Sequence, residues 1–199
     1  MKNSTYSFFA LISRMKYITR WSLMRNNTIE NIGEHSHMVA VLAHALAVIR
    51  NDVFGGKVDT GAVVTLSIFH DSTEIFTGDF PTPVKYYDPD IMDAFNKVES
   101  VASRKLLTAL PSEMRSSYKN ILSPDKEGDV YKLVKAADKL AAYIKCVEEV
   151  KSGNLEFRKA AIECRKKLDS ADIPEVAFFL SNFIPAFELT LDELDFSME

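Results

Sequence analysis

Cysteine is nearly missing from this chain: Cys146 and Cys164 are the only two in 199 residues. They form no CxxC pair and sit near no histidine in sequence, so they are expected as reduced thiols on helices. Glycine and proline are also scarce, seven each, and fall between periodic segments rather than within them. No basic block of the kind that tracks a nucleic-acid backbone is present; 24 Lys and Arg are balanced by 28 Asp and Glu, for a net charge of −4. No long hydrophobic run opens the chain either. Phe8–Ile12 is cut short by Arg14 and Lys16, too brief for a signal-peptide core or a spanning helix. A cytoplasmic protein without nucleic-acid or membrane partners is expected.

What is present is helical periodicity. Hydrophobic residues make up 47% of the chain, enough for one buried core and too little length for two ordinary domains with a linker. No strand-like alternation long enough for a sheet occurs, and no internal repeat. Helices are predicted over about Tyr6–Thr19, Glu34–Asp52, Asp59–Phe76, Asp88–Leu110, Asp129–Lys151, Leu155–Leu168 and Pro174–Phe183, with a short one after Pro111. Asp88-Pro89 is a cap followed by a first-turn proline, and Asp79-Phe80-Pro81-Thr82-Pro83 is a stiff loop, because each proline disfavours α geometry in the residue before it. The expected fold is all-α, a single compact domain over residues 1–199 with about seven helices.

All four histidines precede residue 71. His35 falls on the apolar stripe of the second helix with Met38, Val39, Leu42, Leu46 and Ile49. His37 and His44 share the opposite face and read as surface or interface residues. The third helix ends in His70-Asp71-Ser72-Thr73-Glu74, which places His70 four residues from Glu74 and Asp71 three residues from it. On the long helix Asp138 lies in line with Val134, Ala137, Ala141 and Ile144. A lone inward carboxylate is costly unless paired or bound to a cation.

Two imidazoles and two carboxylates, from His35, His70, Asp71 and Asp138, thus have a route to one point. Mixed nitrogen and oxygen donors suit one divalent transition ion: manganese, iron, cobalt, nickel, copper or zinc. Such an ion acidifies water and polarises a phosphoryl oxygen, and Glu74 is placed to hold or deprotonate that water. Plainer readings exist: a His-Asp dipeptide arises by chance, Asp138 could be paired with a nearby Lys or Arg, and Glu74 could be solvated. Arg20-Trp21 reads as a phosphate-neutralising cation beside an aromatic face for sugar or base, or as a tryptophan packed on the core. The loop after Gly78 is either a turn or a rigid rim that recognises substrate.

The order His35, His70-Asp71, Asp138 matches the H…HD…D pattern of the HD-domain superfamily. Arg20 to Asn26, Glu34-His35-Ser36, His70 to Glu74, Thr77 to Pro83 and Lys135 to Asp138 closely resemble the YfbR-like bacterial 5′-deoxynucleotidases, over nearly the whole chain. That resemblance implies an all-α homodimer that hydrolyses 2′-deoxyribonucleoside 5′-monophosphates with one divalent ion, cobalt being a strong activator. His35, His70, Asp71 and Asp138 would be the metal ligands. Glu74 would activate water and Arg20 orient the phosphate. Trp21, Asp79, Phe80, Pro81 and Thr82 would contact the sugar and exclude the ribo form. Ser72-Thr73 and Phe80 depart from the familiar pattern without removing a ligand, and Phe80 leaves base and sugar selection open.

Rivals remain. A cyclic-nucleotide phosphodiesterase with two metals needs more histidines than the chain has. A deoxynucleoside triphosphate hydrolase needs more cations than Arg20, with only Lys85 to assist. A non-catalytic nucleotide sensor would lack a ligand or the water activator, and none is lacking here.

Overall fold

The computed structural model describes residues 5–81 and 87–194. Thr82, Pro83 and Lys85 lie outside the described residues. Within the described residues the regular structure is helical, and the β pairing is one antiparallel bridge between Thr19 and Asn31.

Helix α1 (Phe8–Ile12) tightens at once into a 3₁₀ segment, Ser13–Tyr17, instead of running on to Thr19. A helix this short has little stability of its own. Beyond it Ile18 must be extended, since its carbonyl accepts from Ile32 N–H at 3.0 Å. Helix α2 (Ile32–Val48) opens on a capping box between Asn31 and Glu34 and ends in a π turn, Ile49–Val53. His35, Val39, Leu42, Leu46 and Ile49 are buried, while Ala40, Ala43 and Ala47 let neighbouring helices approach. Met38, expected on the same stripe, is 36% exposed. It lies about 100° from Val39, just past the edge of the buried arc. His37 and His44 are exposed, as their spacing predicts.

Helix α3 (Thr60–Phe69) is capped by Asp59, which accepts from Ala62 N–H. It does not continue to Phe76. The chain overwinds at His70–Thr73 and restarts as α4 (Glu74–Thr77). Ser72, Glu74, Ile75 and Phe76 each donate to the carbonyl three residues back. Such bonding makes one turn per three residues, so Asp71 and Glu74 come to one side. Helices α5 (Pro89–Thr108), α6 (Arg115–Leu122), α7 (Asp129–Lys151), α8 (Arg158–Asp169) and α9 (Pro174–Asn182) follow. Asp88 caps α5 with Pro89 in the first turn.

The main core joins α2, α3, α7 and α9 through Leu46, Val63, Leu133, Leu140 and Val176. Each fully buried aliphatic side chain contributes roughly 1.5–3 kcal/mol. A smaller cluster of Phe8, Leu106, Leu110 and Leu122 seats α1 against α5 and α6. The segment Ile32–Val53 is long and apolar enough to cross a membrane by length and composition, but over half of its apolar window is buried in this core.

Candidate metal centre and substrate site

Helices α2, α3 and α7 meet where His35, His70 and Asp138 face one another. His35 is fully buried; its Nε2 lies 3.1 Å from Asp138 Oδ1 and 3.6 Å from Asp71 Oδ2. His70 caps the end of α3. Its Nδ1 is 2.7 Å from the Ser67 carbonyl, to which Nδ1–H donates, so Nε2 is the nitrogen turned to the carboxylates. That Nε2 lies 3.1 Å from Asp71 Oδ2, is buried, and lacks the alignment of a hydrogen bond. One donor atom each from His35, His70 and Asp138 falls within 4.8 Å of the others. A buried imidazole nitrogen among carboxylate oxygens, its other nitrogen held by a backbone carbonyl, is the environment of a metal-binding histidine. The residues fit a divalent cation.

Without a cation the imidazoles and carboxylates balance one another: burial opposes a charge on His70, but Asp71 and Asp138 outweigh it and raise its pKa. Burial alone would raise the Asp71 carboxyl, but the charge and contact of His70, with help from His35, hold it well below the usual carboxylate range. Asp138 is likewise buried and held low, chiefly by Lys135 and then by its bond to His35. Lys135 Nζ donates to Asp138 Oδ2. The lysine pairing open to Asp138 is present: one oxygen takes Lys135 and the other faces the His35 imidazole. Sequence reasoning assigned Lys135 no role of its own. Its position three residues before an inward aspartate on a helix was the available signal.

Arg20 sits in the paired strand-like segment before α2, its guanidinium bound to Glu30 at 2.7 Å. Burial opposes the Arg20 charge, yet Glu30, Asp138 and Asp71 outweigh it and raise its pKa, which places Arg20 beside the acidic cluster. Glu74 joins the same cluster from the overwound turn. Burial, then Asp71 and Asp79, push its carboxyl up to about 9, against the pull of Arg20. Its Oε2 is buried with no hydrogen-bond partner among the described residues.

Trp21 has a left-handed backbone, φ 57°, and its N–H donates to Asp79 Oδ2 at 3.2 Å. Its ring packs on Phe157 at 5.4 Å, and its Nε1 is buried without a partner among the described residues. Core packing and an open donor are both present in that one side chain. Phe80 lies against Phe95 of α5, ring centres 5.3 Å apart, which anchors the loop that continues into Pro81. The structure thus draws together His35, His70, Asp71, Asp138, Glu74 and Arg20, ties Trp21 to Asp79, and turns the Phe80 ring onto α5. Glu30 and Ser67, which hold Arg20 and His70, carried no sequence signal.

This arrangement of helices is that of an HD-domain phosphohydrolase: one from Listeria innocua superposes with a TM-score of 0.80 at 22% identity, covering 91% of this chain and 88% of that one. An HD phosphohydrolase of cyanophage S-2L, solved with dA and one catalytic zinc ion, superposes at 0.59 with 19% identity, covering 88% and 95%. Within that fold the chain belongs to the YfbR-like 5′-deoxynucleotidase family, whose profile matches residues 7–187. A 5′-deoxynucleotidase of Vibrio cholerae is 46% identical over 188 residues, 94% of this chain and 97% of the other.

Proposed function

We propose that this chain is a metal-dependent phosphoric monoester hydrolase that converts 2′-deoxyribonucleoside 5′-monophosphates to deoxyribonucleoside and phosphate. The observation that carries the reading is the buried His70 Nε2, without a hydrogen-bond partner among the described residues, facing the Asp71 carboxylate that His35 also faces. Family membership and the 46% identical deoxynucleotidase support the substrate class.

His35, His70, Asp71 and Asp138 would hold one divalent ion, which supplies water activation and polarisation of a phosphoryl oxygen. Cobalt is the ion we expect to activate most strongly in vitro; manganese, iron, nickel, copper and zinc suit the same donors, and the cyanophage neighbour holds zinc. Glu74 takes a proton from the attacking water as its oxygen bonds to phosphorus. With no cation to balance Asp71 and Asp79, burial and those two charges push the Glu74 carboxyl up to about 9; a divalent ion held beside Asp71 would favour the Glu74 carboxylate, which takes that proton and passes it to the 5′-oxygen as the P–O bond breaks. Arg20, fixed by Glu30, orients the phosphate. Trp21, Asp79, Phe80, Pro81 and Thr82 would contact the sugar and disfavour a 2′-hydroxyl.

The same reading takes residues 1–199 as one HD-type domain, with one cooperative unfolding transition expected. It expects a homodimer, for which Met38 and Val41, exposed beside His37 and His44 on α2, offer a face; light scattering tests it. A cytoplasmic location suits the two free thiols. One observation favours a polyphosphate substrate instead: Lys135 gives the cluster a second cation beside Arg20.

Phosphate release from deoxy- and ribonucleoside mono- and triphosphates and cyclic nucleotides, after chelation and metal re-addition, decides among these. Turnover of deoxy monophosphates alone, lost on chelation, is the expected result. Preference for triphosphates would move the activity to the polyphosphate reading, and nucleotide binding without turnover would leave a sensor.

A further inference from the structure

Away from the site, α7 carries a buried ion pair that the mechanism does not use. Lys145 and Glu149 are 6% and 2% exposed. Glu149 does more than neutralise its lysine. Its Oε2 accepts from Asn27 N–H at 2.9 Å and from Asn154 Nδ2 at 2.8 Å, and its Oε1 accepts from Thr28 N–H at 3.0 Å. Lys145 Nζ donates to Glu149 and to the Thr28 carbonyl. Asn154 also donates to the Arg25 carbonyl at 2.7 Å, and Asn27 donates to Ser152. The segment between Trp21 and Glu30 is thereby fastened to the C-terminal end of α7, residue by residue.

The two ends of that segment carry the substrate-facing groups. Before it stand Arg20 and Trp21; at its close Glu30 holds Arg20. Phe157, under the Trp21 ring, lies 5.7 Å from Lys145 Nζ. Asp138, Lys145 and Glu149 are seven and four residues apart, so they share one face of one rigid helix, spread over ~16 Å. A single element therefore fixes the carboxylate at the metal centre and the anchor of the segment that reads the nucleotide.

We propose that Lys145 and Glu149 are positioning residues: by clamping Asn27 and Thr28 on α7 they hold Arg20 and Trp21 where the nucleotide is bound. The inference rests on the proposed activity for its kinetic part alone. A buried charged pair is not needed to hold a helix and loop together, since apolar side chains do that at lower desolvation cost. What four directed hydrogen bonds to the loop backbone add is a fixed position for it, and misplacement by about 1 Å of a substrate-positioning group can cost on the order of a hundredfold.

The chain has one tryptophan, Trp21, so its fluorescence reports this position without interference. The experiment compares wild-type protein with Glu149→Gln and with the milder Asn154→Ala. It reads acrylamide quenching of Trp21, KM and kcat for a deoxynucleoside monophosphate, and the metal-induced rise in Tm. The expected result is stronger quenching, a KM raised about tenfold with kcat changed much less, and an unaltered metal response. Wild-type quenching and KM in variants that merely melt earlier would overturn the proposal. If Glu149→Gln does not fold, Asn154→Ala decides by the same readings. If the wild type turns over no nucleotide, the proposed activity fails by itself; quenching of the free protein still judges the clamp, and unchanged quenching overturns it.

Discussion

His35 Nε2 and Asp138 Oδ1 lie 3.1 Å apart although 103 residues separate them in the chain. The contact joins α2 to α7 at the point where both carry a polar group inside an apolar interface. An ion bound there links the same helices, so metal binding and folding stability are coupled. Saturating cobalt or zinc at about a hundred times its Kd should stabilise the chelated protein by about 2.7 kcal/mol. The rise in Tm should vanish in Asp138→Ala and in His70→Ala. Differential scanning calorimetry measures it, and an undiminished rise in Asp138→Ala would remove Asp138 from the ligand set.

Glu74 separates binding from chemistry. Its carboxyl joins the acidic cluster but offers no atom to the close His35, His70 and Asp138 group. Glu74→Gln should keep the metal-induced rise in Tm and lower kcat by roughly 10²–10⁴-fold. Steady-state kinetics beside the calorimetry tests this; full turnover in the variant would assign proton transfer elsewhere.

Much of this was legible in the sequence, and the reasons differ by residue. Periodicity gave the all-α fold and turned His35 inward and His37 and His44 outward. Asp138 announced itself as a carboxylate on an apolar stripe. Caps at Asp59 and Asp88 marked their helices. The overwound turn at His70–Thr73 was not visible, because helical and 3₁₀ spacing differ too little over four residues to leave a pattern. Nor was the Glu149 clamp. A Lys and a Glu four apart on a helix ordinarily form a solvent-exposed pair. The partners that bury this one are backbone N–H groups 121 and 122 residues earlier, which no side-chain pattern records.

Gly78 links the metal turn to the recognition loop with φ 72° and ψ 170°, a conformation that favours glycine, directly before Asp79. A Cβ there would meet nothing within 4 Å. The cost of Gly78→Ala is therefore backbone strain alone, about 1–3 kcal/mol. Urea denaturation should show that loss. Because Asp79 holds the Trp21 N–H, preference for deoxy over ribo substrate should fall with it. A stability unchanged within error would mean that the turn relaxes without strain.

The clamp has an acid limit. Glu149 is desolvated, which would raise its carboxyl, yet Lys145 and then Asn27, Asn154 and Thr28 bring it down to about 2 from an ordinary 4.5. A carboxyl lowered on folding stabilises the native state fully above its unfolded pKa and loses that contribution as pH falls toward the folded one. The stability gap between wild type and Glu149→Gln should accordingly be constant from neutral pH down to about 5. It should then narrow between about 4.5 and 2, as the unfolded wild-type chain takes up a proton that the native state refuses. Urea unfolding of both proteins across that range measures the gap. A gap that stayed constant to the acid end would show that Glu149 acts through its shape and hydrogen bonds, with no part for its charge.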